Sequence, residues 1–307
     1  MQRLISPREA LIALALTTGC ASKAAPAFCD EIEASIGSKT IGEIRIVQKS
    51  KILFVEGIQS PSRWLFAKGN GGILPPDWTK ALMVDGSYPH GVIIVGDLGH
   101  NQKALAWLSA LAALSIPAFL LPGPRDALFE IRKKIRDLGE EGKSLILLSG
   151  IERLRIGKVE FLIVPRPVES EPPWPGICQL RKPFALPEPS TGVFSVLLGF
   201  EAPQGTPLTR GLGGVEVGSK LIHDWMVNKR VFWGIFAGPE PTRGCAPWPL
   251  PDGSSGGIAI LARLAEPVTE TIDGHFVPSP CLLVEIDERG LRSCNHSLGA
   301  DNSQKLP

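Results

Sequence analysis

The chain has 307 residues, of which 44% are hydrophobic and 21% are charged, and its formal net charge is +1 at pH 7. This composition excludes an intrinsically disordered protein, and the balanced charge lacks the basic surplus that nucleic-acid binding requires. We therefore expect a globular protein with no nucleic-acid partner.

The N-terminus has the plan of a secretory signal. Arg3 and Arg8 precede an apolar run, Ala10 to Leu16, and small residues surround Cys20. The stretch LTTGC resembles a bacterial lipoprotein signal, in which the thiol of Cys20 would be acylated. Cleavage after Ala27 and an N-terminal helix that is never removed are the alternatives. The expected location is exported, either membrane-anchored or periplasmic, and the alternative is cytoplasmic.

We expect the chain to consist of three parts. Residues 1–27 form the signal with a short linker, residues 40–299 form one domain, and residues 300–307 form a flexible tail. The stretch RIVQKSKILFVEG predicts the first strand of the domain, which ends near Gly57. The following segment, residues 60–78, is rich in Ser, Pro and Gly and has the composition of a loop.

The next stretch, residues 91–127, has the pattern of a β-α-β unit. Val92 to Val95 form a buried strand that delivers Asp97 at its carboxyl end. Asn101 is a plausible cap for the Ala- and Leu-rich helix that follows. A second apolar run then ends before the loop GPRDA, which we expect to open beside Asp97. In open α/β sheets, ligands bind at this edge.

The remaining chain is mostly β. Short apolar runs separated by turns alternate with two helices, one containing IRKKIRD and one capped by Ser219. A proline-rich segment, residues 165–192, leaves a strand end and is placed to cover a site. The expected fold is α/β, with two packed mixed sheets flanked by helices.

From about Arg45 to Leu298 the chain resembles the calcineurin-like metallophosphoesterases. That family carries Asp-x-His after its first strand, Gly-Asp after the second, Gly-Asn-His-Asp after the third, a later lone His, and Gly-His-x-His near the end. The resemblance implies an α/β/β/α sandwich. It also implies two divalent metals, such as Mn, Fe or Zn, which activate water and clamp a phosphate.

The order of these motifs, their spacing and the apolar runs around them are present in this sequence, but most of the metal ligands are missing. Of the usual metal ligands only Asp97 of the second motif remains, while Gly123 and Asp126 match the third motif. The substituted positions are Gly57 and Gln59 in the first motif, Pro124 and Arg125 in the third, Phe200 for the lone His, and the loop after Gly238, which lacks both histidines. Arg cannot bind a metal because it has no free lone pair.

One carboxylate cannot hold two divalent ions tightly, so we expect no cofactor. The sequence therefore favours a non-catalytic protein, a pseudoenzyme of the metallophosphoesterase fold, that binds or scaffolds at a membrane. The alternative is a weakly active or unusual metal-dependent phosphoesterase, a hydrolase in which Asp97, His100, Asp126 or the long loops hold the metal.

Asp97 and Arg125 follow neighbouring strands, and the resemblance directs both into one cleft. We expect Arg125 to stand in for the metal charge, either by pairing with Asp97 or by holding an anionic ligand. The alternative is that Arg125 points to solvent, with the cleft closed by Phe200 and the proline-rich segment. The partner is then an unknown protein or an anion.

Overall fold

Two β-sheets pack face to face in the computed structural model of the chain. The structure describes residues 37–58, 60–69, 79, 82–83, 87–164, 186–210, 214–238, 244–249, 255–261, 269–270, 276–277, 282–287 and 290–296. The segments expected to form a signal (residues 1–27, including Cys20) and a tail (residues 300–307) lie outside the described residues.

The larger sheet has nine strands and is mixed. In spatial order they are β1 (Ser38–Ile41), β2 (Ile44–Lys49), β3 (Ile52–Glu56), β8 (Arg153–Ile156), β9 (Val159–Val164), β10 (Phe194–Gly199), β11 (Trp233–Phe236), β13 (Ser255–Ile260) and β12 (Gly244–Pro249). β3 is parallel to β8, and β9, β10, β11 and β13 run parallel to one another. β8 and β9 are antiparallel, which reverses the strand direction within the sheet.

The smaller sheet has six strands. They are, in spatial order, β17 (Gly290–His296), β16 (Leu282–Asp287), β4 (Ser62–Lys68), β5 (Gly91–Val95), β6 (Ala118–Leu121) and β7 (Leu145–Leu147). β4 to β7 are parallel, so their carboxyl ends meet at one edge. All five residues of β5 are buried, as expected for a parallel strand covered on both faces. A separate ribbon pairs β14 (Thr269–Glu270) with β15 (Phe276–Val277).

Helices cover the outer faces of both sheets. α1 (Trp107–Ala112) and α2 (Leu128–Asp137) pack on the six-stranded sheet through Trp107, Leu111 and Ile131. α3 (Lys220–Lys229) packs on the nine-stranded sheet through Ile222 and Met226. The inner faces of the two sheets share one apolar core. The layer order is α/β/β/α, which confirms the expected fold class.

The local signals for the helices are largely confirmed. The Ser219 hydroxyl accepts a hydrogen bond from the Ile222 amide at the start of α3. Asn101 accepts one from the Ala104 amide, but it caps a run of turns and α1 begins only at Trp107. Among the described residues, no helix has the length and apolar character needed to cross a bilayer.

Two strand assignments were wrong. The first predicted strand is a hairpin of two strands, β2 and β3, which turns at Ser50 and Lys51. The segment expected to be a loop contains β4, a central strand of the six-stranded sheet. Because β4 lies next to β5, the residue at the end of β4, and not the one at the end of β3, lies beside Asp97.

Candidate functional site

The candidate site lies where parallel strands from both sheets end. Lys68 closes β4, and Asp97 follows β5 after one glycine. From the facing sheet, Phe200 follows β10 and Gly238 follows β11. A backbone hydrogen bond of 2.9 Å from the Gly238 amide to the Phe200 carbonyl joins these last two ends. Four strand ends therefore converge on one cleft.

Lys68 places a positive charge at this position. Trp64 and Phe66 of β4 lie in the core between the sheets, so Lys68, two residues further on, projects to the same side. Its side chain is only 6% exposed, and its Nζ lies 3.1 Å from Oδ2 of Asp97, whose side chain is 21% exposed. The carboxylate of the Gly-Asp motif is thus engaged by an ammonium group of the chain itself.

The ring of Phe200 fills the space between the glycines of the cleft. A Cβ placed on Gly96 would lie 2.7 Å from its Cδ2, and one on Gly123 would lie 3.1 Å from the same atom. The ring centroid is 5.8 Å from Nζ of Lys68, within the range of a cation–π contact. An aromatic wedge and an ion pair therefore occupy the converging strand ends together.

Asp126 links the two loops that bound the cleft. Its Oδ1 accepts a hydrogen bond of 2.8 Å from the Gly99 amide, and its Oδ2 accepts one of 2.7 Å from the Gly123 amide. Burial raises the pKa of this carboxyl group above its usual value, although hydrogen bonds from Gly99, Gly123 and Leu98 oppose the rise. Asp126 fixes the loops relative to each other, with both oxygens engaged by backbone amides.

Other expected site residues lie at the rim. Arg125 is exposed, while Pro124 is half-buried in the same loop. His100 is exposed in the loop after β5. Arg125 was expected to pair with Asp97. In the structure, Lys68, which β4 holds between the sheets, forms the ion pair with Asp97 instead.

Gly57 does not belong to this cleft. It follows β3, which is parallel to β8, whereas β8 is antiparallel to β9 and β9 is parallel to β10. β3 therefore ends at the edge of the nine-stranded sheet opposite Phe200. Assigning the first metal motif to Gly57 was wrong, since the strand next to β5 is β4. Gln59, the other residue of that assignment, lies outside the described residues.

Lys68 was not predicted as a site residue, although the sequence around it has the pattern of a strand. The residues Trp64 to Ala67 are apolar. Arg63 precedes them, and Lys68 and Gly69 follow them. This is the pattern of a buried parallel strand with charged ends, comparable to Val92–Val95. The surrounding Pro and Gly residues concealed it, because they favour a loop when composition is averaged over the whole segment.

The residues of the cleft do not fit a pair of divalent metals. Within the described part of the chain, no group of three or more His, Cys, Asp or Glu side chains could hold a metal ion. Asp97 pairs with a cation, Asp126 accepts from two amides, and the Phe200 ring occupies the centre. The buried ammonium of Lys68 beside the Asp97 carboxylate repels a divalent ion.

No family model and no curated protein matches the sequence. Several solved structures are similar to the chain, including the following two. Protein TT1561 of Thermus thermophilus is 13% identical with a TM-score of 0.46, over 77% of this chain and 99% of that one. A second structure is 10% identical with a TM-score of 0.43, over 74% and 95%. Similarity of this size establishes neither a family nor an activity.

The ion pair predicts a non-additive stability loss. Lys68→Met leaves the Asp97 carboxylate without its ammonium and should lower the unfolding free energy by about 2 to 4 kcal/mol. Lys68→Met combined with Asp97→Asn should lose less than Lys68→Met alone, since no charge is then left behind. Asn is chosen because Asp97 has φ of +50°, which Asn tolerates. Urea denaturation measures both values, with exposed Lys133→Met as the control. Additive losses would contradict the pairing.

If Asp126 holds the two loops together, replacing one of its carboxylate oxygens with NH₂ should lower the unfolding free energy. In Asp126→Asn, the side-chain NH₂ must face one of the two amides that now donate to the carboxylate. The variant should lose about 1 to 3 kcal/mol of unfolding free energy, the cost of an unsatisfied buried donor. Asp137→Asn, on the exposed end of α2, is the matched control. Equal stability of the two variants would show that Asp126 does not hold the loops.

Proposed function

We propose that the chain is a non-catalytic binding or scaffolding protein built on a metallophosphoesterase-like fold. The observation that carries this proposal is the contact of 3.1 Å between Lys68 Nζ and Asp97 Oδ2 at the strand ends where the family would bind metal. The chain's own ammonium supplies the positive charge at this point.

An ammonium group cannot replace the chemistry of two metals. A divalent ion lowers the pKa of a bound water and offers open coordination positions to a phosphate oxygen. Lys68 offers hydrogen-bond donors and one charge, and its buried position leaves little room for a substrate. The Phe200 ring, packed against Gly96 and Gly123, further excludes a phosphate from the centre.

The rim of the cleft can still bind a partner. Arg125 is exposed on the loop after β6, and its planar guanidinium suits a phosphate or carboxylate. We assign to it the recognition of an anionic ligand or of an acidic group on a protein. Binding at the rim requires neither metal nor displacement of Phe200.

The N-terminal signal supports a location at a membrane. Acylation of Cys20 would attach the domain to a membrane by a lipid. Under this proposal the domain presents its rim to partners at the membrane surface.

Metal content tests the pseudoenzyme proposal. The full chain, purified in excess manganese or zinc and then desalted, should carry well under one ion per chain by elemental analysis. It should hydrolyse bis-p-nitrophenyl phosphate no faster than its Asp97→Ala variant does. A stoichiometric pair of ions, together with turnover that Asp97→Ala abolishes, would overturn the proposal.

Membrane fractionation tests the anchor. The wild-type chain expressed in bacteria should sediment with membranes, and Cys20→Ser should release it or block its processing. Cys245→Ser serves as a matched control, because it removes a thiol from the folded domain instead. Wild-type protein that is found in the soluble cytoplasmic fraction with Met1 retained would contradict the proposed lipidation.

A further inference from the structure

The helix α2 presents a row of basic and aromatic side chains to solvent. Ile131 and Ile135 pack the other side of the helix on the six-stranded sheet. Phe129, Lys133 and Arg136 are all exposed. At 3.6 residues per turn they lie within about 60° of one another around the helix axis, in a row about 10 Å long. These three residues form the basic face of α2.

The cations of this face are available to a partner. Within the described part of the chain, neither Lys133 nor Arg136 forms an ion pair. The two acids of α2 lie on a different side of the helix. Glu130 accepts a hydrogen bond from the side-chain amide of Gln102, and Asp137 is turned about 80° away from Phe129. The basic face therefore carries a positive charge that the helix itself does not neutralise.

The aromatic ring of this face is unusually open to water. The side chain of Phe129 is 57% exposed, and it is the only large hydrophobic residue of α2 that is exposed. A single exposed apolar residue is common on protein surfaces. Its position in one row with two cations that have no partner is more specific, because the row then offers charge and apolar surface to the same ligand.

The C-terminal end of α2 lies beside the point where the chain enters the domain. Burial lowers the pKa of the Lys39 ammonium, and the nearby ammonium of Lys143 lowers it further. Lys39 belongs to β1, and Lys143 belongs to the 3-10 helix Glu141–Ser144 that follows α2. A Cβ on Gly142 would clash with the Ile135 carbonyl oxygen, so this short helix packs directly against α2. The N-terminal segment therefore joins the domain on the side of α2.

We propose that the basic face of α2 binds an anionic membrane surface. Phe129 would insert its ring among the lipid headgroups, while Lys133 and Arg136 would pair with lipid phosphates. Helices that lie on membranes combine Lys and Arg with Phe, Trp or Leu in this way. This contact rests on the membrane location proposed above, and it is made by the folded domain itself.

The composition of the face favours lipid over an acidic protein. The centres of protein–protein interfaces are depleted of charged residues. On α2, in contrast, one exposed ring lies in a row with cations and with no second exposed apolar side chain of the helix. A lipid headgroup layer accommodates an isolated ring, and each Lys or Arg near anionic lipid contributes about fivefold in affinity.

Co-sedimentation of the full chain with lipid vesicles tests the charge of the face. Every sample carries Cys20→Ser, so that no lipid is attached at this position. The chain should bind vesicles that contain phosphatidylglycerol more tightly than vesicles of phosphatidylcholine alone, and high salt should remove the difference. Lys133→Ala with Arg136→Ala should weaken binding to the anionic vesicles about 25-fold, fivefold for each lost cation. Lys49→Ala with Lys158→Ala, at exposed lysines of the nine-stranded sheet, is the matched control and should change little.

Insertion of the ring is tested separately. In vesicles that contain brominated lipid, Phe129→Trp should show quenching of tryptophan emission beyond that of the parent chain, because the new ring lies among the lipids. Phe129→Ala should weaken binding to anionic vesicles severalfold, since the apolar contact is lost. Val215→Ala shortens another exposed side chain, which is 62% exposed, and should leave binding unchanged.

Several results would overturn the proposal. These are face variants that bind anionic vesicles as tightly as their controls do, and Phe129→Trp emission quenched no more than that of the parent. Polyglutamate or duplex DNA bound as tightly as anionic vesicles would assign the face to an acidic macromolecule instead. The contact is salt-sensitive, whereas a salt wash does not remove a lipid anchor. Vesicle binding by the Cys20→Ser chain together with a soluble wild type would therefore contradict lipidation and still support the basic face.

Discussion

The buried contact between the Lys68 ammonium and the Asp97 carboxylate determines what the converging strand ends can do. Four strands end at this place, and a carboxylate held there needs a positive charge to offset the cost of its burial. In a metallophosphoesterase a metal would supply that charge. Here one ammonium balances one carboxylate, and further acidic ligands at the same strand ends would lack a counter-charge. The uncharged residues Phe200 and Gly238 at the neighbouring strand ends are electrostatically consistent with this single ion pair.

Parts of this arrangement were predictable because they depend on short stretches of sequence. β5, the turn at Asp97 and β6 were predicted correctly, since continuous apolar runs mark buried parallel strands. The position of β4 was not, because flanking prolines and glycines masked its apolar run. Sheet neighbours are set by long-range packing, so one missed strand moved the first motif to Gly57, at the wrong edge.

Residue type alone also fails to separate a ligand from a structural carboxylate. Asp126 is an acid in the loop where the family has a motif residue, which made it a candidate for binding metal. In the structure its two oxygens accept from the amides of Gly99 and Gly123, as acidic side chains in turns often do. Asp97, in contrast, faces Lys68. The two acids differ in the backbone around them, which only the folded loops reveal.

The space between the two sheets is filled differently at the two ends of the sandwich. Sheets that twist relative to each other diverge at their ends, where space must be filled from the chain or left to a ligand. At the Lys68 end, the Phe200 ring fills the space. At the other end, Gly57 and Gly157 contribute no side chains, and Asp287 remains beside an open volume. The sandwich is thus closed by an aromatic side chain at one end and remains open at the other.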